Sequence, residues 1–291
     1  MHNPAHFEAI NYLVVGHLSY DQTPGGPRLG GTAAFSALTA RTLGLRVGIV
    51  TVWDEELPLA SLRTIPIAGE IAAQSTSFEN IQTPIGRQQV IHHIAPSLGC
   101  EHIPEVWRAA PIVHLGPIAQ EVDPSLVEYF PEAHICTTAQ GWLRDWDEDG
   151  LVFRSDWPEA SFVLSNVDAT VISIEDVAGD EKRVEEMAEA SQILVVTEGA
   201  DGARIYWGDE LRSFPAPQVD EVDSTGAGDI FAAAFFIQLY QTSNPWFAAQ
   251  FANHLAALSV THPGLDGIPK PEEIYPGNRS AVEKKLVAPL A

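Results

Sequence analysis

Residues 222–231 read V-D-S-T-G-A-G-D-I-F, an order suited to holding an anion beside a base. Gly226 and Gly228 flank Ala227. Glycine lets successive backbone N–H groups turn toward one negative charge. The stretch G-D-I-F-A-A-A-F-F-I-Q-L-Y-Q (228–241) reads as a long apolar helix. The N-terminus of such a helix carries partial positive charge. Asp229 falls in its first turn. A carboxylate there can take a proton from a hydroxyl while the loop neutralises a transferring phosphate. Asp229, with the backbone of Gly226, Ala227 and Gly228, is therefore the candidate catalytic group. The plainer alternative is an acid that only complements the helix dipole. The chain has no G-x-x-x-x-G-K-[ST], which excludes a P-loop, and no G-x-G-x-x-G after its first strand.

A loop of this kind needs a rigid frame. N-Y-L-V-V-G (11–16) reads as a short buried strand, 30–44 as a helix of small residues closed by Gly44, and 46–52 as a second strand. Strand, helix and strand in such close succession signal a parallel βαβ unit. The rhythm returns in apolar strands at 111–116, 134–138, 169–174 and 192–199. An amphipathic helix is expected at 183–191, and the composition of 228–241 and 245–262 suggests helices buried against a sheet. The fold class is α/β, a central and mostly parallel sheet flanked by helices. Two stretches break the pattern: 17–29 is turn-rich, and 74–95 alternates polar and apolar residues as half-exposed strands do. A small β-sheet drawn from both, appended to one body spanning 1–291, accounts for them. The Pro-rich, charged tail after Ile268 is expected to pack loosely.

Composition narrows the partners. Sixteen Lys and Arg against 39 Asp and Glu leave a formal charge of −23 over 291 residues. Such a surface repels nucleic acid and anionic membranes, though a local positive site still admits an anionic ligand. Hydrophobic residues make up 45%, enough for a sizeable core. The two cysteines, Cys100 and Cys136, form neither a metal spacing nor a disulfide framework. No run reaches the ~18 apolar residues of a membrane span, and the first residues lack a basic secretory segment. A cytoplasmic protein without nucleic-acid or membrane partners is the expectation.

The segment D-S-T-G-A-G-D-I-F closely resembles the C-terminal signature of the PfkB, or ribokinase-like, carbohydrate kinases. The resemblance runs along most of the chain. V-V-G-H-L-S-Y-D (14–21) is similar to the family's first strand with its substrate-contacting aspartate, here Asp21. L-G-G-T-A-A-F-S-A (29–37) is similar to the diglycine helix start, with Gly30 and Gly31 approaching the substrate. V-T-E-G-A-D-G-A-R-I-Y (196–206) resembles the nucleotide segment, giving Thr197, Gly199 and Gly202. N-H-L-A-A-L-S-V-T-H-P-G (253–264) resembles the helix and loop that close over adenine, where Asn253 lies. The resemblance implies a ribokinase-like body with a β lid. It implies ATP and Mg²⁺ as cofactors, and a sugar or polyol hydroxyl as acceptor. Asp229 then matches the base, and 226–228 the anion hole. Asp223 and Thr225, with Ser259 and Gly264, match the surroundings of a monovalent cation such as K⁺. A homodimer through the lid is also compatible with the family.

The departures point to a branch. Where the family's N-x-x-E motif organises Mg²⁺ and phosphate, this chain has Ser173-Ile174-Glu175-Asp176, which leaves Glu175 and Asp176 as the Mg²⁺ candidates. Phe35 stands where most members have asparagine. These features, with A-Q-G-W-L-R-D-W-D-E-D-G (139–150), resemble the inositol-kinase-like branch and place Gln140 and Arg144 near the cleft. Myo-inositol is thus the leading acceptor. A nucleoside or ribose-type acceptor is the alternative, and a non-catalytic ligand-binding relative is a third reading. Thr138 replaces an aspartate usual in that branch. Asp21 has the alternative of capping a turn, and Arg144 that of pairing with the acids that follow it. Arg87 either reaches phosphate from the lid or is a solvated strand residue. His2 and His6, with Pro4 between them near the chain end, suit a frayed terminus better than a metal site.

Overall fold

The computed structural model describes residues 7–23, 25–83 and 86–275, without the side chains of 82–87. In chain order the elements are β1 (Tyr12–Val15), β2 (Ser19–Gln22), β3 (Arg28–Gly30), α1 (Thr32–Thr42), β4 (Val47–Trp53) and β5 (Ile67–Ile71). Next come β6 (Thr76–Thr83), β7 (Gly86–His93), β8 (Ile112–Leu115), β9 (His134–Thr138), β10 (Arg144–Trp146) and β11 (Val152–Arg154). Then follow α2 (Ala160–Asn166), β12 (Ala169–Ser173), α3 (Glu181–Ala190), β13 (Ile193–Thr197), β14 (Ala203–Trp207) and β15 (Glu210–Phe214). The last elements are α4 (Ala227–Thr242), α5 (Pro245–Ser259) and α6 (Pro271–Ile274).

Nine strands form the main sheet in the order β15-β14-β13-β12-β9-β8-β1-β4-β5. The seven from β13 to β5 are parallel, and β14 and β15 add an antiparallel edge. β1 and β4 are buried along their whole length, as strands covered on both faces must be. Alternate residues of β1 enter different cores: Leu13 and Val15 pack toward α2 and α3, Tyr12 and Val14 toward α1. α4 is buried at every position from Ile230 to Leu239, which explains why its sequence is apolar on all sides. α5 packs along it, and the two share one core.

The chain leaves β1 toward β4 and β5, then returns to lay β8 on the other flank of β1. Such a reversal opens a crevice beyond the carboxyl ends of the strands. Two glycines make the approach close there. A Cβ on Gly16 would lie 2.3 Å from the Gly116 carbonyl oxygen.

The strands within 17–29 and 74–95 make a separate four-stranded sheet, β3-β2-β6-β7. Its crossings to the body converge on buried polar groups. His17 Nε2 lies 2.9 Å from the Pro96 carbonyl oxygen, and Nδ1 lies 2.7 Å from the Thr76 hydroxyl. A carbonyl can only accept, so Nε2 carries the proton and Nδ1 accepts from Thr76. Burial lowers the His17 pKa, in keeping with a neutral ring. Buried Glu121 accepts from the backbone N–H groups of His17, Ile118 and Ala119. An antiparallel bridge, Val90 to Leu151, links β7 to the β10–β11 hairpin.

The structure departs from the sequence reading in places. Gly30 ends a strand rather than starting the helix, because β3 pairs with β2 up to that residue. The tail does not pack loosely throughout: Ile274 on α6 is buried in the α4–α5 core. Residues 276–291, His2 and His6 lie outside the described residues. Trp142 and Trp157 stack at 5.0 Å between ring centroids and are buried.

Glu121→Ala leaves three buried N–H groups without an acceptor. It is expected to destabilise the fold by about 3 kcal/mol, and Glu121→Gln by less, as read from urea unfolding midpoints at pH 7.

Candidate active site

A cleft of about 890 Å³ opens at the crevice and reaches from the four-stranded sheet to α5. The 224–229 segment forms its floor. Gly226 holds φ +79°, and a Cβ there would lie 2.2 Å from the Phe35 ring. A side chain is thus excluded both by conformation and by contact. Around Gly228 a Cβ would meet nothing within 4 Å, so its backbone is open to the cleft. The first N–H groups of a helix have no partner within it. At the start of α4 the Ala227 N–H donates to the Ser224 carbonyl at 3.2 Å, and Gly228 borders the open space.

Asp229 lies in the first turn of α4, half-buried at the cleft floor. Its Oδ1 accepts a hydrogen bond from the Thr32 hydroxyl at 2.7 Å. Burial pushes its carboxyl up to about 6. The Thr32 hydrogen bond and the charge of Arg144 pull it down, while Asp21 and Asp176 push it up. A base with that value is mostly ionised at neutral pH yet retains basicity.

One end of the cleft is polar. Gly30 makes room for Asp21, whose Oδ2 lies 2.3 Å from where a Cβ would stand. Ser19 donates to Asp21 Oδ1 at 3.3 Å. Gly31, at φ +89°, brings the backbone against the His17 carbonyl. Gln140 Nε2 donates to Asp176 Oδ1 at 3.2 Å. Asp176 Oδ2 accepts from the Ser173 amide at 2.8 Å. Burial raises the Asp176 pKa, against the charge of Arg144. Arg144 acts on both Asp229 and Asp176, so its charge serves the cleft rather than only the neighbouring acids. Arg154 faces it across the β10–β11 register. From the four-stranded sheet Asn80, Gln88 and Gln89 reach the same end. Arg87 is on β7, and its side chain lies outside the described residues.

The other end is lined by the β13–β14 turn, the segment after β15 and α5, with Glu198 and Glu221 among small apolar residues. Thr197 closes β13, and its hydroxyl donates to the Ile172 carbonyl at 3.3 Å. Gly199 and Gly202 hold φ +58° and +101° in the turn to β14. Buried Asn253 donates from Nδ2 to the Phe214 carbonyl at 2.7 Å. It thereby ties α5 to the end of β15, and Ala216, Val219, Ala256, Ala257 and Val260 line the cleft nearby.

Residues 159–272 match the model of the pfkB family carbohydrate kinases. Over those residues the chain is similar to the pfkB family. An inositol 3-kinase from Zea mays is 31% identical over 51% of this chain, though the match spans only 39% of the maize protein. A cytidine kinase from Thermococcus kodakarensis is 26% identical over 78% of this chain and 87% of its own length. A pyrophosphate-dependent kinase of the ribokinase family, solved with a pyrophosphate analogue and myo-inositol, superposes with a TM-score of 0.72 over 88% of this chain and 98% of its own. At 20% identity that likeness is one of fold.

Among the described residues no cluster of three His, Cys, Asp or Glu side chains could hold a metal ion alone. Glu175 is exposed at the cleft, whereas both Asp176 oxygens are engaged. That fits Mg²⁺ carried by phosphates and water with one carboxylate, its usual coordination. Asp223, Ser259 and Gly264 stand outside the cleft lining, behind the loop, while Thr225 lines it. Asp223 joins Thr225 and Gly264, accepting from each amide at 2.9 Å, whereas the Ser259 hydroxyl donates to the Ala256 carbonyl at 2.8 Å. Thr32 was not singled out from the sequence. Only its place directly after the diglycine could have pointed to it.

Burial raises the Asp223 pKa, but these hydrogen bonds and Arg28 outweigh it and lower the value. A lowered value contributes stability above the unfolded pKa, lost as pH falls through the folded one. Asp223→Asn is therefore expected to cost about 1–2 kcal/mol at pH 7, with the gap to the parent closing below about pH 4 in urea titrations.

Proposed function

We propose that the protein is an ATP-dependent kinase that phosphorylates a hydroxyl of a polyol or sugar, with myo-inositol as the leading acceptor. The observation that carries this reading is the Asp229 carboxylate, half-buried between the start of α4 and the polar end of the cleft. An acceptor hydroxyl held by Asp21, Gln140 and Arg144 comes within reach of that base. Asp229 takes the hydroxyl proton as the oxygen attacks the γ-phosphoryl group of ATP, whose bond to the β–γ bridging oxygen breaks so that ADP leaves. The amides of 226–228 stabilise the charge that develops on the phosphoryl group. Bound with the nucleotide, Mg²⁺ supplies charge neutralisation at the phosphates, with Glu175 as the nearby carboxylate. The four-stranded sheet acts as a lid that excludes water. Asp223, Thr225, Ser259 and Gly264 are the proposed surroundings of K⁺.

Two features favour ATP over pyrophosphate as donor. Ala216, Val219, Ala256, Ala257 and Val260 line the donor end and supply apolar surface suited to a planar base. Among the described residues the arginines and lysines that line the cleft are Arg144 and Arg154, both on the β10–β11 hairpin. Glu198 and Glu221 line the donor end instead. Pyrophosphate has no apolar part and would need cations there.

A nucleoside acceptor is the second reading, favoured by the long match to the cytidine kinase. The protein is incubated with ATP or pyrophosphate, Mg²⁺, and myo-inositol, ribose, fructose or cytidine. ATP with myo-inositol is expected to give the highest kcat/KM. The rate should fall as pH drops through about 6, because protonated Asp229 cannot act as base. Preference for cytidine would select the second reading, and no phosphorylated product with any acceptor would contradict both.

A further inference from the structure

The cleft floor contains a group that neither the sequence motifs nor the kinase reading uses. Thr32 is the first residue of α1 and is only 3% exposed. Its two branches are each spoken for. The hydroxyl donates to Asp229 Oδ1 at 2.7 Å. The methyl, Cγ2, stands 2.6 Å from where a Cβ on Gly116 would be. The missing side chain at the end of β8 is therefore the seat of the Thr32 methyl. A β-branched side chain has few χ1 choices, and this seat selects the one that aims the hydroxyl at the acid.

Two further residues of α1 meet the same loop. Phe35 fills the space beside Gly226, and the Ser36 hydroxyl lies 3.4 Å from the Asp229 carbonyl oxygen. One face of α1 thus holds the start of α4 at three points. The same diglycine that opens α1 also admits Asp21. The spacing between acceptor-binding acid and base is in this way set by one short stretch of chain.

We propose that Thr32 is a positioning residue that anchors one Asp229 oxygen and leaves the other to face the acceptor hydroxyl, with Gly116 fixing the Thr32 rotamer. This rests on the kinase reading above. A hydrogen bond to a carboxylate favours its ionised form, so Thr32 opposes the burial that raises the Asp229 pKa. The other groups acting on that carboxylate are Arg144 from β10, Asp21 from β2 and Asp176 after β12. The phenol of Tyr12 on β1 also interacts with it. None of them is altered by a change at Thr32.

The test uses the full chain with Thr32→Val, which keeps the shape and loses the hydroxyl, and Thr32→Ser, which keeps the hydroxyl. A third variant, Gly116→Ala, fills the methyl seat. The carboxyl signal of Asp229 is followed by carbon-13 NMR from pH 4 to 9, assigned by its absence in Asp229→Asn. Turnover is followed with ATP, Mg²⁺ and myo-inositol over the same range. Thr32→Val is expected to raise the titration midpoint by about one pH unit and to lower kcat about tenfold on the alkaline plateau, with KM for ATP unchanged. Thr32→Ser should stay within about threefold of the parent, and Gly116→Ala should follow Thr32→Val in direction. If Thr32→Val titrates where the parent does and keeps its kcat, the proposal is overturned. If the parent turns over no acceptor, the kinase reading fails, and the NMR arm still decides whether Thr32 holds Asp229.

Discussion

A carboxylate held at the foot of a buried, largely apolar helix is the constraint from which the site follows. α4 is buried over ten residues, so its N-terminus is carried inside the body and points at the crevice. Water cannot solvate Asp229 freely there, and ionisation depends on what the protein supplies. The helix amides, the Thr32 hydroxyl and the Arg144 charge favour the anion. Burial, Asp21 and Asp176 disfavour it. Burial prevails, and the carboxyl is pushed up to about 6, a value suited to a general base.

The sheet supplies the place for this balance. Reversal of strand order at β1 opens the crevice, and glycines let the surrounding chain come close enough to use it. Gly16 meets Gly116, Gly30 admits Asp21, Gly116 receives the Thr32 methyl, and Gly226 rests on Phe35. Each is a point where a Cβ would push two elements of the site apart. The site is thus compact because several of its walls have no side chains. The two ends of the cleft differ because different elements line them. Asp21 and the amides of Asn80, Gln88 and Gln89 come from the small sheet, the arginines from the β10–β11 hairpin, and small apolar residues from α5 and the segment after β15, beside Gln218 and Glu221.

Much of this was legible in the sequence, and the reasons are local. Buried parallel strands are continuous apolar runs, so β1, β4, β8, β9, β12 and β13 stood out. An apolar helix behind two glycines and an acid announced the loop, because backbone conformation there is dictated by residue type. β14 and β15 did not stand out: β15 is an exposed edge strand with little apolar pattern. Thr32 was silent, since its role depends on a contact with Asp229, 197 residues away. Phe35 read as a mere departure from the family, whereas its ring supports Gly226. Contacts of that kind arise from packing and leave no mark in a single chain's spacing.

The central claim is that Asp229 is the base. Single-turnover transfer from γ-³²P ATP to myo-inositol, with protein in excess over nucleotide, measures the chemical step without product release. The parent should transfer label with a rate that rises through about pH 6 and then levels. Asp229→Asn, folded and still binding ATP, should be slower by about a thousandfold at every pH. Transfer by Asp229→Asn at the parent's rate would contradict the account.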